Sequence, residues 1–267
     1  MTAFCKEGCF RQKGCVVEAY TDFATVYDTF MDETPYALWK EHILDILGTY
    51  DIKDGLLLDL GCGTGTLTEM LQDSGFDMIG VDNSQEMLTI AMEKKEETGK
   101  EILYLNQDMR EFELYGTVRA VISVCDSVNY LLEKEDLIET FRLVNNYLDP
   151  KGIFLFDFNT LYKYKEVIGD TTIAENRDDC SFIWENYYHE EEHINEYDLT
   201  IFVKEQETDL FRQFVETHYQ RGYTLEEMKE MILKSGLEYI KAIDVDTMNT
   251  PTETSERIYI IARESGK

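Results

Sequence analysis

Three aspartates in the first half of the chain follow short apolar runs, and the first stands beside a cluster of glycines. They are Asp59, Asp82 and Asp108. The carboxyl ends of parallel strands meet at one edge of a sheet, so we expect these acids to lie near one another. Carboxylates accept hydrogen bonds from hydroxyl and ammonium groups and attract cations. The pattern therefore predicts a ligand-binding site at this edge.

A buried strand, a glycine turn and a helix start are predicted around Asp59. The run Leu56–Leu58 is short and apolar, as expected of a parallel strand that is covered on both faces. The glycines that follow allow unusual backbone angles and a close approach to a ligand, and they are Gly61, Gly63 and Gly65. Thr64 or Thr66 is expected to cap the next helix.

This turn suits a nucleotide, but two features argue against a dinucleotide such as NAD. The dinucleotide fingerprint is Gly-x-Gly-x-x-Gly, and Thr66 stands where its third glycine would be. Asp59 would repel a pyrophosphate, whereas it would attract a cation or accept a hydrogen bond from an ammonium group. An NAD-dependent oxidoreductase therefore stays open only as an alternative.

The segment Asp59-Leu60-Gly61-Cys62-Gly63-Thr64-Gly65 resembles the first motif of the class I methyltransferases that use S-adenosylmethionine. In that family the glycine turn passes under the methionine and ribose portion of the cofactor, and the acid interacts with its amino-acid end. The resemblance implies S-adenosylmethionine as cofactor. It also implies cofactor contacts from Asp59 and from the turn residues Gly61, Cys62, Gly63 and Gly65.

Asp82 lies 21 positions after Gly61, close to where Rossmann-like folds place a carboxylate that binds ribose hydroxyls. We expect Asp82 and the neighbouring Asn83 to contact the cofactor. NAD enzymes share this geometry, so Asp82 supports an adenosine ligand without choosing between the two cofactors. A second interpretation makes Asp82 the cap of the following helix, although Asn83 or Ser84 can serve instead.

Two further loops follow predicted strands at the same edge. In the resembled family, an acid after the third strand accepts from the adenine amino group and the next residue packs on the ring. Asp108 and Met109 occupy those positions here. A solvated turn acid is the alternative interpretation. The resembled enzymes have cofactor or substrate contacts in the loop after the fourth strand. The resemblance therefore implies cofactor contacts from Cys125 and Asp126 and acceptor contacts from Ser127 and Tyr130.

Two helices are predicted before the first strand, between Tyr20 and Tyr50, with Pro35 starting the second. The segment resembles the N-terminal part of glycine/sarcosine and sugar-amine N-methyltransferases, in which aromatic residues close over the cofactor. That resemblance makes Tyr20, Tyr27 and Trp39 candidates for such a lid. An aromatic core between the two helices is the other interpretation.

Residues 159–222 interrupt the alternation of helices and strands. Three aromatic runs read as an antiparallel β meander: Cys180–Tyr188, Glu192–Val203 and Leu210–Tyr219. The insertion resembles the substrate-covering sheet of sugar-amine methyltransferases. The predicted fold is thus α/β, a Rossmann-like, doubly wound seven-stranded sheet with an N-terminal helical lid and an antiparallel β insertion after the fifth strand. Residues 20–158 and 223–263 form its core, after a poorly ordered segment 1–19.

Three local features are predicted within this core. A helix at Lys134–Tyr147 is expected to end before a turn at Asp149-Pro150-Lys151-Gly152. Thr224, three residues ahead of Glu227, predicts a capping box at the start of a later helix.

His218 is the candidate catalytic base, because histidine titrates near neutral pH and its strand leaves the insertion to re-enter the core. An ordinary strand histidine is the alternative. Arg221 is expected either to grip an acidic group of the substrate or to pair with a carboxylate. Trp184 is expected to form part of a substrate pocket wall.

Composition narrows the partners and the location. The chain has 25 Lys and Arg against 54 Asp and Glu, a net charge of −29, which disfavours binding to nucleic acid. The sequence has no apolar stretch of membrane-spanning length and no signal-peptide pattern, so we expect a cytoplasmic protein without a membrane partner. The spacing of Cys5, Cys9 and Cys15 departs from the Cys-x3-Cys-x2-Cys motif of radical enzymes that use S-adenosylmethionine, and no fourth ligand lies nearby, so no metal is expected.

Taken together, these patterns predict an S-adenosylmethionine-dependent methyltransferase that acts on a small-molecule amine or hydroxyl by in-line transfer. Two other classes stay open. One is a non-catalytic regulator that binds S-adenosylmethionine or S-adenosylhomocysteine, because a cofactor motif does not by itself establish an acceptor site. The other is the NAD-dependent oxidoreductase.

Overall fold

A computed structural model describes residues 27–28, 30–31, 34–205 and 208–267 of the chain. Four features predicted near the N-terminus lie outside these residues: the segment 1–19, the three cysteines Cys5, Cys9 and Cys15, the lid residue Tyr20 and most of the first helix. In the part of the chain that is described, no helix is long and apolar enough to span a membrane.

A seven-stranded sheet forms the centre of the molecule, with the strand order β10-β11-β5-β4-β1-β2-β3. Strands β1 to β5 run parallel, and β11 is antiparallel to both β5 and β10. The strands are β1 Gly55–Leu60, β2 Phe76–Asp82, β3 Leu103–Asn106, β4 Val118–Ser123, β5 Leu148–Asn159, β10 Glu238–Asp244 and β11 Arg257–Arg263. The predicted Rossmann-like sheet is confirmed.

Helices cover both faces of this sheet. They are α1 Tyr36–Thr49, α2 Thr66–Gln72, α3 Gln85–Thr98, α4 Lys134–Tyr147 and α5 Leu225–Lys234, with a 3-10 turn at Ser127–Tyr130 and a π-helical turn at Lys163–Val167. Leu57 packs in one apolar cluster with α1 and α2, and Leu58 packs in the other with α4 and α5. Successive side chains of a strand point to opposite faces, so a continuous apolar run fills both layers.

The helix ends depend on local chemistry, and one predicted cap is wrong. Thr224 and Glu227 form the expected capping box of α5, and Ser84 caps α3 through the backbone N–H of Met87. Helix α2 instead starts after Gly65, and neither threonine caps it. The Thr64 hydroxyl donates to Asp28 at 2.7 Å and accepts no backbone N–H of the helix.

Strand β5 starts earlier than expected. The segment Asp149-Pro150-Lys151-Gly152 was predicted as a turn, yet β5 begins at Leu148. Its pairing with β4 shifts register between Val118 and Ala120, and Lys151 has a φ of +66°. The turn residues are therefore absorbed as an irregularity inside a longer strand.

A second, antiparallel sheet has the order β6-β7-β8-β9. Its strands are β6 Thr172–Asn176, β7 Cys180–His189, β8 Ile194–Lys204 and β9 Phe211–Arg221. The predicted meander contained only the last three. Strand β6 is short and mostly exposed, so it lacks the apolar alternation by which a strand is recognised in sequence. One face of this sheet packs through Tyr197, Leu199 and Ile201.

Candidate active site

A cavity of about 660 Å³ lies at the carboxyl ends of β1, β2 and β4. It occupies the place where open α/β sheets bind ligands. Its wall includes these residues singled out from the sequence: Tyr27, Asp59, Gly61, Cys62, Gly63, Asp82, Asn83, Asp108, Met109, Cys125, Ser127 and Tyr130. The remaining predicted residues lie outside this wall: Trp39, Gly65, Asp126, Trp184, His218 and Arg221.

The glycine turn forms the floor of the cavity. Gly61 and Cys62 both donate their backbone N–H groups to the carbonyl of Val81, which ties the turn to the end of β2. Gly61 has a φ of +82°, and a Cβ there would lie 2.6 Å from the Ser127 Oγ. Gly63 has a φ of +55°, and a Cβ there would meet no described atom within 4 Å. The turn is thus tight on one side and open at Gly63.

Asp59 is a buried acid with one firm hydrogen-bond partner. Thr68 donates its hydroxyl to Asp59 Oδ2 at 2.6 Å. Burial raises the pKa of Asp59 to about 7, while the Thr68 hydrogen bond opposes the rise and the negative charge of Asp82 adds to it. A positive charge in the cavity would stabilise the ionised form of this acid.

The Asp82 carboxylate joins the glycine turn to the start of α3. Its Oδ2 accepts the backbone N–H of Gly63 at 2.8 Å, and its Oδ1 accepts that of Ser84 at 2.8 Å. Burial raises the pKa of Asp82, and these backbone N–H groups oppose the rise. Because Ser84 provides the side-chain cap of α3, Asp82 is not needed for that role.

At the far end of the cavity Asp108 forms an ion pair that the sequence analysis missed. The Arg110 Nε lies 2.9 Å from Asp108 Oδ1 and 3.1 Å from Oδ2, and its Nη1 lies 3.3 Å from Asp136. Burial by itself would raise the pKa of Asp108, but the hydrogen bonds and charge of Arg110 outweigh it and lower the pKa. The position of Arg110, two residues after Asp108, is the signal that could have revealed this pair.

The turn after β4 has two consecutive non-glycine residues with left-handed backbone angles. Cys125 has a φ of +60° and Asp126 a φ of +52°. The Asp157 carboxylate accepts both of their backbone N–H groups, and Arg257 bridges Asp126 and Asp157 at 2.6 and 3.3 Å. Gln220 donates to the other oxygen of Asp126 at 2.6 Å. The Asp126 carboxylate is therefore directed into this polar cluster, while Cys125 lines the cavity.

An aromatic and polar cluster connects the cavity to the antiparallel sheet. The hydroxyl of Tyr130 lies 2.8 Å from that of Tyr197 and 3.3 Å from Nδ1 of His218. The imidazole of His218 stacks on Tyr197, with ring centroids 4.8 Å apart, and its Nε2 lies 3.2 Å from Glu216. His218 is thus behind Tyr130 rather than on the cavity wall.

The other predicted residues outside the wall have structural contacts. The Trp39 ring lies under the Arg257 guanidinium at 5.4 Å, and the Trp184 ring packs on Tyr197 with centroids 5.1 Å apart. Arg221 donates to the carbonyl of Leu132 at 2.7 Å. Gly65 immediately precedes α2, and a Cβ there would collide with the Tyr104 hydroxyl. Their predicted ligand roles stay predictions.

Comparisons with known proteins point to one kind of chemistry. Residues 57–152 match a family model described as a methyltransferase domain. The chain is 38% identical to the putative methyltransferase YqeM of Bacillus subtilis over 247 residues, which is 92% of this chain and 97% of that one. It is 32% identical over 139 residues to a dTDP-3-amino-3,4,6-trideoxy-alpha-D-glucopyranose N,N-dimethyltransferase of Streptomyces venezuelae, covering 51% and 56% of the two chains.

The fold is also found among solved structures. An S-adenosylmethionine-dependent methyltransferase of Clostridium acetobutylicum superposes with a TM-score of 0.83 at 27% identity. The match covers 92% of this chain and 98% of that one.

Proposed function

This chain belongs to the S-adenosylmethionine-dependent methyltransferases, and from that premise we propose that it methylates a small-molecule amine or hydroxyl bound beside Tyr130. One observation carries the proposal. The cavity extends from the three strand-end acids to Tyr130. The antiparallel sheet contacts Tyr130 through the hydrogen bond between the Tyr130 and Tyr197 hydroxyls. The space beside Tyr130, next to the proposed cofactor site, suits a small acceptor.

The residues present fit the cofactor. The open space at Gly63 lies in the cavity wall, where a Cβ would take up room that a ligand needs. Asp59 and Asp82 supply carboxylates for groups that are cationic or carry hydroxyls. When bound, the cofactor supplies an electrophilic methyl group on a positively charged sulfur.

We assign the cofactor contacts by position along the cavity. Asp82, next to Asn83, would bind the ribose hydroxyls, and Asp59 with the glycine turn would hold the amino-acid end. Asp108 and Met109 would face the adenine. Since Arg110 already bonds both oxygens of Asp108, an adenine amino group would have to share that carboxylate with it.

The charge of the cavity wall favours an amine over an acidic acceptor. Beyond the three acids assigned to the cofactor, the wall contains Glu86, Glu133 and Asp136, while Arg110 is its basic member in the described part of the chain. A carboxylate-rich wall attracts a cationic substrate and disfavours an anionic one. The amino-sugar substrate named for the Streptomyces venezuelae relative agrees with this preference.

The chain's part in the reaction is mainly alignment. In-line transfer releases a neutral thioether, so no acid is needed for the leaving group, and rate enhancement comes from holding the two reactants in line and excluding water. Ser127 and Tyr130 stand where they would orient the acceptor. Trp184 and Arg221 would act more indirectly, through Tyr197 and the Leu132 carbonyl.

A turnover assay tests the proposal. The purified chain is incubated with S-adenosylmethionine and a panel of amines, amino sugars and phenols, and methylated products are detected by mass spectrometry. The Gly63→Ala variant serves as control, since it should lose product if the methylation belongs to this cavity. Methylation of an amine supports the proposal. Tight cofactor binding without turnover across the panel would contradict it and favour a regulator that only binds the cofactor.

A further inference from the structure

We propose that Tyr130 is the residue that takes the proton of the acceptor, and that His218 and Glu216 form a relay behind it. The inference rests on the proposed methyl transfer and narrows its substrate to a primary or secondary amine that arrives as an ammonium ion. Tyr130 lines the cavity, whereas His218 and Glu216 do not. Among the described residues, His218 contacts the Tyr130 hydroxyl and Glu216 contacts His218.

The two relay residues on strand β9 lie on the same face, because successive side chains of a strand point to opposite faces. Glu216 and His218 lie two positions apart on the buried face, where they are 6% and 1% exposed. A strand buries such positions for apolar packing, so two ionisable side chains there need a reason. Cross-strand pairing places His218 opposite Tyr197, and the two rings stack within 8° of parallel. This stacking holds the imidazole with one nitrogen toward Glu216 and the other toward Tyr130.

The hydrogen-bond partners select one tautomer of the histidine. An ionised Glu216 can only accept, so the Nε2 atom 3.2 Å away carries the hydrogen. In a neutral imidazole Nδ1 is then an acceptor, and the Tyr130 hydroxyl, 3.3 Å away, is the donor. The Tyr197 hydroxyl lies 2.8 Å from the Tyr130 oxygen and forms a hydrogen bond with it.

Each proton and electron pair has a donor and an acceptor along this path. The acceptor ammonium passes one N–H proton to the Tyr130 oxygen, while the Tyr130 proton moves to Nδ1 of His218. The resulting imidazolium is stabilised by Glu216. The nitrogen lone pair freed in this way forms the new bond to the methyl carbon, and the electron pair of the broken carbon–sulfur bond stays on sulfur.

The same sheet contains a matched control. Tyr219 of β9 and His189 of β7 both contact Glu196 of β8, at 3.3 and 2.7 Å, so the residue types of the relay recur. None of these three lines the cavity. Substitutions in this second set therefore test whether an effect comes from disturbing the sheet or from the relay.

The first measurement is the tautomer of His218 by nitrogen NMR of protein labelled in its four histidines. The titratable side chains that contact this imidazole include Glu216 on its own strand, Tyr197 on β8 and Tyr130 on the 3-10 turn. At pH 8 we expect hydrogen on Nε2 and an Nδ1 signal that shifts in Tyr130→Phe but not in Tyr219→Phe. Hydrogen on Nδ1, or an Nδ1 signal insensitive to Tyr130→Phe, would overturn the relay.

The second measurement uses an amine that the wild-type chain methylates. Tyr130→Phe and His218→Gln should each lower kcat by about 100-fold and alter the acidic limb of the kcat–pH profile, with S-adenosylhomocysteine affinity unchanged. The controls Tyr219→Phe and His189→Gln should stay within about 2-fold of wild type.

The two proposals fail in different ways. A wild-type chain that methylates no amine in the panel contradicts the proposed function. A wild-type chain that is active, together with a Tyr130→Phe variant of unchanged kcat and pH profile, overturns the relay alone.

Discussion

Asp157 Oδ1 accepts the backbone N–H of Asp126 at 2.7 Å. Asp126 has a φ of +52°, a left-handed backbone angle that residues other than glycine rarely adopt. The Asp157 carboxylate also holds the N–H of Cys125, which lines the cavity. Asp157 is buried on β5 and pairs with Arg257 of β11. The shape of the cavity at Cys125 therefore depends on an acid that is not part of the cavity wall.

Removing this acid should destabilise the protein. Asp157→Ala leaves the partly buried Arg257 without one partner and two backbone N–H groups unsatisfied, so we expect a loss of about 3–5 kcal/mol in the free energy of unfolding. Urea denaturation measures it. The exposed Asp54→Ala should change stability by no more than about 0.5 kcal/mol. A loss below about 1 kcal/mol for Asp157→Ala would contradict this account of the turn.

Asp82→Asn should weaken cofactor binding. The substitution keeps the size of the side chain but removes the charge that strengthens hydrogen bonds to ribose hydroxyls, and we expect at least about 10-fold lower affinity for S-adenosylmethionine. Calorimetric titration with S-adenosylmethionine, S-adenosylhomocysteine and NAD measures this. Asp77→Asn, an exposed substitution on the same strand β2, is the control and should bind as wild type. Equal affinity in both variants would rule out the ribose role.

Asp59 should make cofactor affinity depend on pH. Its pKa of about 7 lies above the ordinary 3.8, so the folded state holds the proton more tightly than the unfolded chain. The contribution of Asp59 to stability therefore falls as pH rises from about 4 to 7. A cationic ligand favours the ionised acid, so affinity for S-adenosylmethionine should rise up to about 10-fold from pH 6 to pH 8. Calorimetry in buffers of different ionisation enthalpy should also detect proton release at pH 6.

The Asp59→Asn variant is the control for this pH dependence, because an amide does not titrate in this range. Its affinity should be nearly flat between pH 6 and pH 8. If the affinity of the wild-type protein changed with pH as little as that of the variant, ionisation of Asp59 would have no effect on ligand binding.

Gly63→Ala should separate binding from folding. An alanine there must adopt a positive φ, which costs about 1–2 kcal/mol, but its Cβ meets no described atom within 4 Å. We expect cofactor affinity to fall at least about 10-fold, since that Cβ takes up space in the cavity wall. Gly99→Ala has a similar φ of +68° and open surroundings at the end of α3, so it should cost similar stability and leave binding unchanged. Equal binding by both variants would contradict the assigned position of the ligand.

The sequence by itself determined the features that depend on neighbouring residues. The glycine turn after β1, helix α4 at Lys134–Tyr147 and the capping box of Thr224 all form where the pattern predicted them. Turn angles, caps and apolar periodicity act over a few residues, so their physics is readable along the chain. The order of strands and acids, together with the resemblance of the glycine motif to that of class I methyltransferases, then predicted the seven-stranded sheet.

Only the tertiary structure decided which distant side chains meet. Tyr130 and His218 are 88 positions apart, and Asp126 and Arg257 are 131 apart, so their contacts follow from sheet register and from how the second sheet packs on the first. A strand pattern tells which residues share a face but not which strand lies opposite or what covers it. For this reason His218 was identified as a candidate from its residue type, while its position behind Tyr130 required the fold.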